Sequence, residues 1–114
     1  MSDRVAFRAF RGSRRSSVYR EHVSTHGAVA RIREAAESSG LPLLGSLPPH
    51  EPVELDRSES RRLAEEATSI RADATLLELD ADLTAIAEVA NWCAHARGRA
   101  WLRIATADDF DAVG

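Results

Sequence analysis

From Asp80 to Gly98 apolar residues recur at helical spacing on two opposite faces at once, and this doubling constrains the fold more than any other feature of the chain. Leu83, Ile86, Ala87, Ala90, Cys93 and Ala94 form one stripe, and Ala85, Val89, Trp92 and Ala96 form a second. At about 100° per residue Trp92 lies about 180° from Leu83, so a single flat core cannot bury both. The second stripe needs a cover from this chain, from a second copy or from another protein. Aromatic residues anchor the centres of interfaces. We therefore expect Ala85, Val89, Trp92 and Ala96 to bind a partner, with Glu88 and His95 as a polar rim. The competing reading covers Trp92 within the monomer, by the first strand or by the apolar stretch at 41–47.

The remaining elements read as mixed α and β. Val5, Phe7 and Ala9 alternate with Arg4, Ala6 and Arg8, which predicts a strand over 4–10 with one face inward. Val18, His22, Thr25, Val29, Ile32 and Ala36 fit one long helix, but Gly27 inside it costs about 1 kcal/mol relative to alanine. The alternative is a strand over 18–23 and a shorter helix capped by Ser24 and ending near Ser39, with Gly40 as terminator. Two glycines and four prolines in 40–52 exclude a helix or a central strand there. Val53 to Leu55 fits a short strand. Asp56 and Glu59 have capping-box spacing, ahead of a helix with Leu63, Ala67, Ile70 and Ala74 inward and Arg61, Arg62, Glu65 and Glu66 outward. Leu76, Leu77 and Leu79 then anchor a turn before the two-striped helix, Gly98 ends that helix, and 101–105 is a strand.

At 114 residues, 44% hydrophobic and 29% charged, the chain has the size and composition of one globular domain, with an ordered core at about 4–106 and an acidic tail at 107–114. Arg4 and Arg8 interrupt any signal-peptide core, no run reaches transmembrane length, and the single cysteine excludes an intrachain disulfide. A cytoplasmic location without membrane association is the expectation. All 15 basic residues are arginine, a bias that GC-rich codons produce without selection for phosphate binding. Their distribution says more. Residues 1–33 hold eight arginines against Asp3 and Glu21, a balance of +6, while 34–114 hold seven against 16 acids, a balance of −9. Arg4, Arg8, Arg11, Arg14 and Arg15, interleaved with Phe7, Phe10 and Tyr19, give the alternative reading of a nucleic-acid-binding segment.

Signals for catalysis are weak. Glu21, His22 and His26 would suit a metal on one helix, but Val23 stands where a zincin glutamate would follow His22 and no third ligand is evident. Cys93 and His95 diverge by about 200° on a helix, so Cys93 reads as a buried structural thiol. Glu78, Asp80 and Asp82 read as helix-start acids rather than calcium ligands. His50 lies in the proline-rich connection, and Phe110 sits among acids in the tail. No phosphate loop, nucleotide-binding glycine motif or nucleophile elbow is present, so no catalytic residues, metal site or cofactor are assigned, and a small enzyme whose site assembles from distant residues stands as the last alternative. The expectation is a small α+β domain, with about three strands and three helices packed on one face of the sheet. It would act as a non-catalytic interaction, regulatory or accessory protein, immunity-like roles included, with another protein or a second copy in a homodimer as partner.

Overall fold

In the computed structural model, residues 4–11, 18–47, 51–72 and 74–106 are described, and of these the side chains of 18, 19 and 74–76 are not. The elements run β1 (Arg4–Arg11), β2 (Val18–Thr25), α1 (His26–Ser39), β3 (Val53–Leu55), α2 (Arg57–Ile70), α3 (Asp80–His95) and β4 (Ala100–Thr106). Short 3₁₀ turns at Leu44–Ser46 and Ala74–Leu79 precede β3 and α3.

The architecture is α+β, as the alternation of strand and helix patterns predicts. The sheet has four antiparallel strands in the order β2-β1-β4-β3 rather than about three. The added strand is β2, which settles the ambiguity at 18–25 against the long helix. Thr25, not Ser24, caps α1, its side chain accepting the Ala28 N–H, so Gly27 falls in the first helical turn. Gly40 ends α1 in the left-handed region, where its N–H reaches the carbonyls of Ala36 and Glu37.

Hairpin geometry sets β2 beside β1, and the return from α3 inserts β4 between β1 and β3. Val5, Phe7 and Ala9 of β1 and Leu102 and Ile104 of β4 point into the main core with Ile32, Leu63, Leu83 and Ile86 from the helices. Ala6, Phe10 and Ala105, also buried, lie outside that cluster, on the opposite face of the sheet.

The capping box at the start of α2 forms as the sequence indicates: Asp56 accepts the Glu59 N–H, and Glu59 accepts the Asp56 N–H. Leu63, Ala67 and Ile70 are buried as expected, while the side chain of Ala74 lies outside the described residues. Glu66 departs from expectation. It is buried, and its carboxylate accepts the N–H groups of Leu43 at 3.3 Å and Leu44 at 2.9 Å. Leu77 also departs, 77% exposed, so only Leu79 is seen to anchor that turn; the side chain of Leu76 is not described.

Helix α3 stops three residues before Gly98. Ala96 is already extended at the C-cap, and Gly98 takes φ 76° beyond it. Arg57 at the start of α2 donates to the Ala96 carbonyl at 2.7 Å and also to the Gly98 carbonyl. A guanidinium suits the negative end of a helix dipole, and here it also takes up carbonyls released by the helix end.

Candidate functional site

The two stripes of α3 meet different environments. The helix packs against α2 and also against β1, β2 and β4, so it has neighbours on more than one side. Val89 is 4% exposed and belongs to the core, covered from within this chain. Trp92 and Ala96 are half-buried against that core, and Ala85 is half-buried. Glu88 and His95 are exposed, with the His95 Nδ1–H donating to the Asn91 carbonyl of its own helix. What reaches the surface is thus a strip narrower than the sequence pattern suggests, centred on the flank of Trp92.

That flank runs beside the edge of the sheet. Arg20 of β2 lies 6.0 Å from the centroid of the Trp92 ring, within cation–π range. Alternation along β2 puts Arg20, His22 and Ser24 on the helix side, opposite Ala9, Phe7 and Val5 of β1. His22 stacks on Phe7 with 6.2 Å between centroids. Ser24 is buried and donates to Asp82 of α3 at 2.9 Å, while His22 Nε2 lies 2.9 Å from the same Asp82 oxygen and 2.8 Å from Ser24 Oγ.

These three residue types invite comparison with a hydrolytic triad, but their geometry serves a different end. In a triad the imidazole stands between nucleophile and acid, using both ring nitrogens. Here one nitrogen meets both oxygens, the serine proton is already given to the carboxylate, and the serine is 1% exposed. The cluster pins β2 to α3 at the start of the helix. Beyond this pin, β2 has a free side: among the described residues no strand pairs with its outer edge. Val23 on this strand is 36% exposed.

The metal pattern at Glu21, His22 and His26 does not assemble. Glu21 and His22 alternate to opposite faces of β2, and His26 has passed into α1. No group of three or more metal-binding side chains gathers among the described residues. Cys93 is buried, beside the Ser60 hydroxyl of α2. Burial pushes its thiol pKa above the ordinary 9.0, against the smaller opposing effects of Ser60 and Arg57. Asn91 and His95 share an open groove with Arg61, Glu65, Thr68 and Ser69 of α2. Nothing in it pairs a nucleophile with a base.

The basic N-terminal segment is dispersed by the strand. Phe7 is fully buried in the core, while Arg4 and Arg11 are exposed at the two ends of β1. Arg8 pairs with Glu21 at 2.7 Å. Arg14, Arg15, His50 and Phe110, with the side chain of Tyr19, lie outside the described residues.

Sequence reasoning missed the face of the sheet opposite the helices. Register aligns Glu21, Arg8, Arg103 and Glu54 in one row across all four strands. Arg103 meets Glu54 at 3.4 Å. In the next row Phe10 stacks on Trp101, centroids 5.4 Å apart and planes at 13°, and Arg99 lies 5.7 Å from the Trp101 ring centre. The available signal was the alternation of Trp101, Arg103 and Ala105 against Leu102 and Ile104, the mirror of the pattern in β1.

No known protein family, curated protein or solved structure matches the chain. No helix among the described residues is long and apolar enough to cross a membrane.

Proposed function

We propose that this is a non-catalytic interaction protein of the regulatory or accessory kind, immunity-like in character, which meets another protein or a second copy of itself along β2 and the adjoining flank of α3. The observation that supports this reading is the juxtaposition of an eight-residue edge strand with the half-buried Trp92. An unpaired edge offers a row of main-chain donors and acceptors that an extended segment can complete. Trp92, Ala85 and Ala96 would add apolar contact beside it, and Arg20, Glu88 and His95 a polar border. A working location in the cytoplasm agrees with the single thiol and with the absence of any disulfide requirement.

The test is light scattering coupled to size exclusion across a concentration series, with hydrogen exchange read along β2. The expected result is a dimer at high concentration, with β2 amides that gain protection as it forms, converted to a folded monomer by Trp92→Asp. Val23→Lys, which places a charge on the exposed edge without touching the core, should act in the same direction. A protein that stays monomeric throughout, with β2 amides whose exchange is independent of concentration, rejects self-association as the use of this edge.

A further inference from the structure

We propose that residues 107–114 fold back from the end of β4 and dock on the helix-free face of their own sheet, with Phe110 over Ala6 and Ala105 and the neighbouring aspartates directed at Arg8 and Arg103.

The face is closed although no described helix lies on it. The helices and both 3₁₀ turns place their buried apolar residues in the core on the opposite side. Yet Ala6 is 1% and Ala105 0% exposed, and Phe10 and Arg103 are buried with them. Neighbouring strands shield such side chains laterally, but shielding from above needs a second layer. Arg8, Arg103 and Thr106 each hold an interaction beyond the contacts described above. A guanidinium has five N–H donors, so Arg8 and Arg103 can take further carboxylates besides Glu21 and Glu54.

Charge selects the segment that supplies the cover. Residues 12–17 bring Arg14 and Arg15, which the arginine row repels, 48–50 bring no acid, 1–3 bring Asp3 alone, and 73 is a single residue between α2 and the turn that follows it. Residues 107–114 bring Asp108, Asp109 and Asp111 around Phe110. They also start in the right place, leaving β4 at Thr106, next to Ala105.

Reach and shape agree. Four residues separate Thr106 from Phe110 and span at most about 14 Å, while stacked layers lie about 10 Å apart. One reversal of the chain therefore brings Phe110 back above Ala105 and its cross-strand partner Ala6. The two methyl groups make a shallow floor for a ring, with Val23, the partner of Ala6 on β2, as its wall. The arginine row lies two residues along the strands, about 7 Å away, where the aspartates flanking Phe110 can meet it. The tether favours the chain's own segment over that of a second copy, because a short linker gives an effective concentration of about a millimolar. This strap and the partner surface at β2 and Trp92 are separate inferences, and either can fail without the other.

The experiment is nuclear magnetic resonance on the full, isotopically labelled chain. The Phe110 ring protons should show through-space contacts to the methyl groups of Ala6 and Ala105. Phe110→Ala should remove the ring-current shifts of both methyls. Asparagine at 108, 109 and 111 together should move the docked equilibrium about ten-fold toward free chain, the combined effect of three exposed ion pairs. All four positions lie beyond β4, and the β4 amide shifts report whether each variant keeps the fold. The proposal is overturned by a Phe110 ring without contact to either methyl, by order parameters below about 0.6 at 108–111, or by alanine methyls that Phe110→Ala leaves unmoved. An equally docked asparagine variant, or contacts found only between labelled and unlabelled copies in a mixed sample, overturns it as well.

Discussion

Asp82 and His22, 60 positions apart in the chain, share a contact of 2.9 Å that fastens the first turn of α3 to the edge strand β2. Ser24 closes the triangle from the same strand. Removing the carboxylate leaves a buried serine hydroxyl and an imidazole nitrogen without their acceptor, a cost of about 1–3 kcal/mol. Asp82→Ala should therefore lower the melting temperature by about 4–8 °C for each kcal/mol lost. A double-mutant cycle with His22→Ala, followed by urea denaturation, checks that the two losses are not additive.

Glu66 is the second polar tie inside the fold. Its carboxylate receives the N–H groups of Leu43 and Leu44, the two in this turn that no backbone carbonyl takes up, while those of Leu41, Gly45, Ser46 and Leu47 bond to backbone carbonyls. Glu66→Ala should cost about 2 kcal/mol, the range for hydrogen bonds to charged groups. Glu66→Gln keeps one carbonyl acceptor and should cost about half as much. Both are read as midpoint shifts at constant slope in denaturant, and equal stabilities for wild type and Glu66→Ala would contradict the assigned role.

The thiol of Cys93 provides a pH test. Its pKa is raised by burial, so the folded state holds the thiol proton to higher pH than the unfolded chain does. Stability from this group is fully present below the unfolded value, near 9.0, and is lost as pH rises through the folded value. Denaturation midpoints followed upward from pH 9 should fall in wild type by more than in Cys93→Ala. A thiol-reactive chromogen at neutral pH should label Cys93 only as fast as the protein opens.

The parts of this fold that were legible from residues alone are those set by short-range chemistry. The Asp56–Glu59 box, the Gly40 terminator and the alternation of Val5, Phe7 and Ala9 each act within one turn or one strand. The parts that were not legible depend on distant partners. Glu66 looks like a surface residue until the Leu44 turn arrives from another part of the chain. Val89 looks like half of an exposed stripe until α3 is seated against its neighbours. The Arg8 and Arg103 row exists only after β4 enters between β1 and β3, an insertion that no local pattern announces. The strand at 18–25 was half legible, because its residues satisfy both a helical and an alternating period. The pairing with β1 and the pin to Asp82 favour the strand.

Two glycines at the ends of α1, Gly27 inside its first turn and Gly40 at its C-cap, should respond to alanine with opposite signs. Gly27 lies in the first turn with ordinary backbone angles, and a Cβ added there meets nothing within 4 Å. Alanine there reduces the freedom of the unfolded chain and should stabilise the protein by about 0.5 kcal/mol. Gly40 also has open space around it, but its φ is 71°, a region that a Cβ makes unfavourable by about 1–2 kcal/mol. Since neither substitution creates a clash, the difference isolates backbone conformation from packing. Gly27→Ala should unfold at higher denaturant than wild type and Gly40→Ala at lower, with the same slope for all three. A Gly40→Asn variant, whose side chain tolerates the left-handed region, should recover part of the loss. Equal destabilisation by both alanines would mean instead that Gly27 is needed for the passage from β2 into α1.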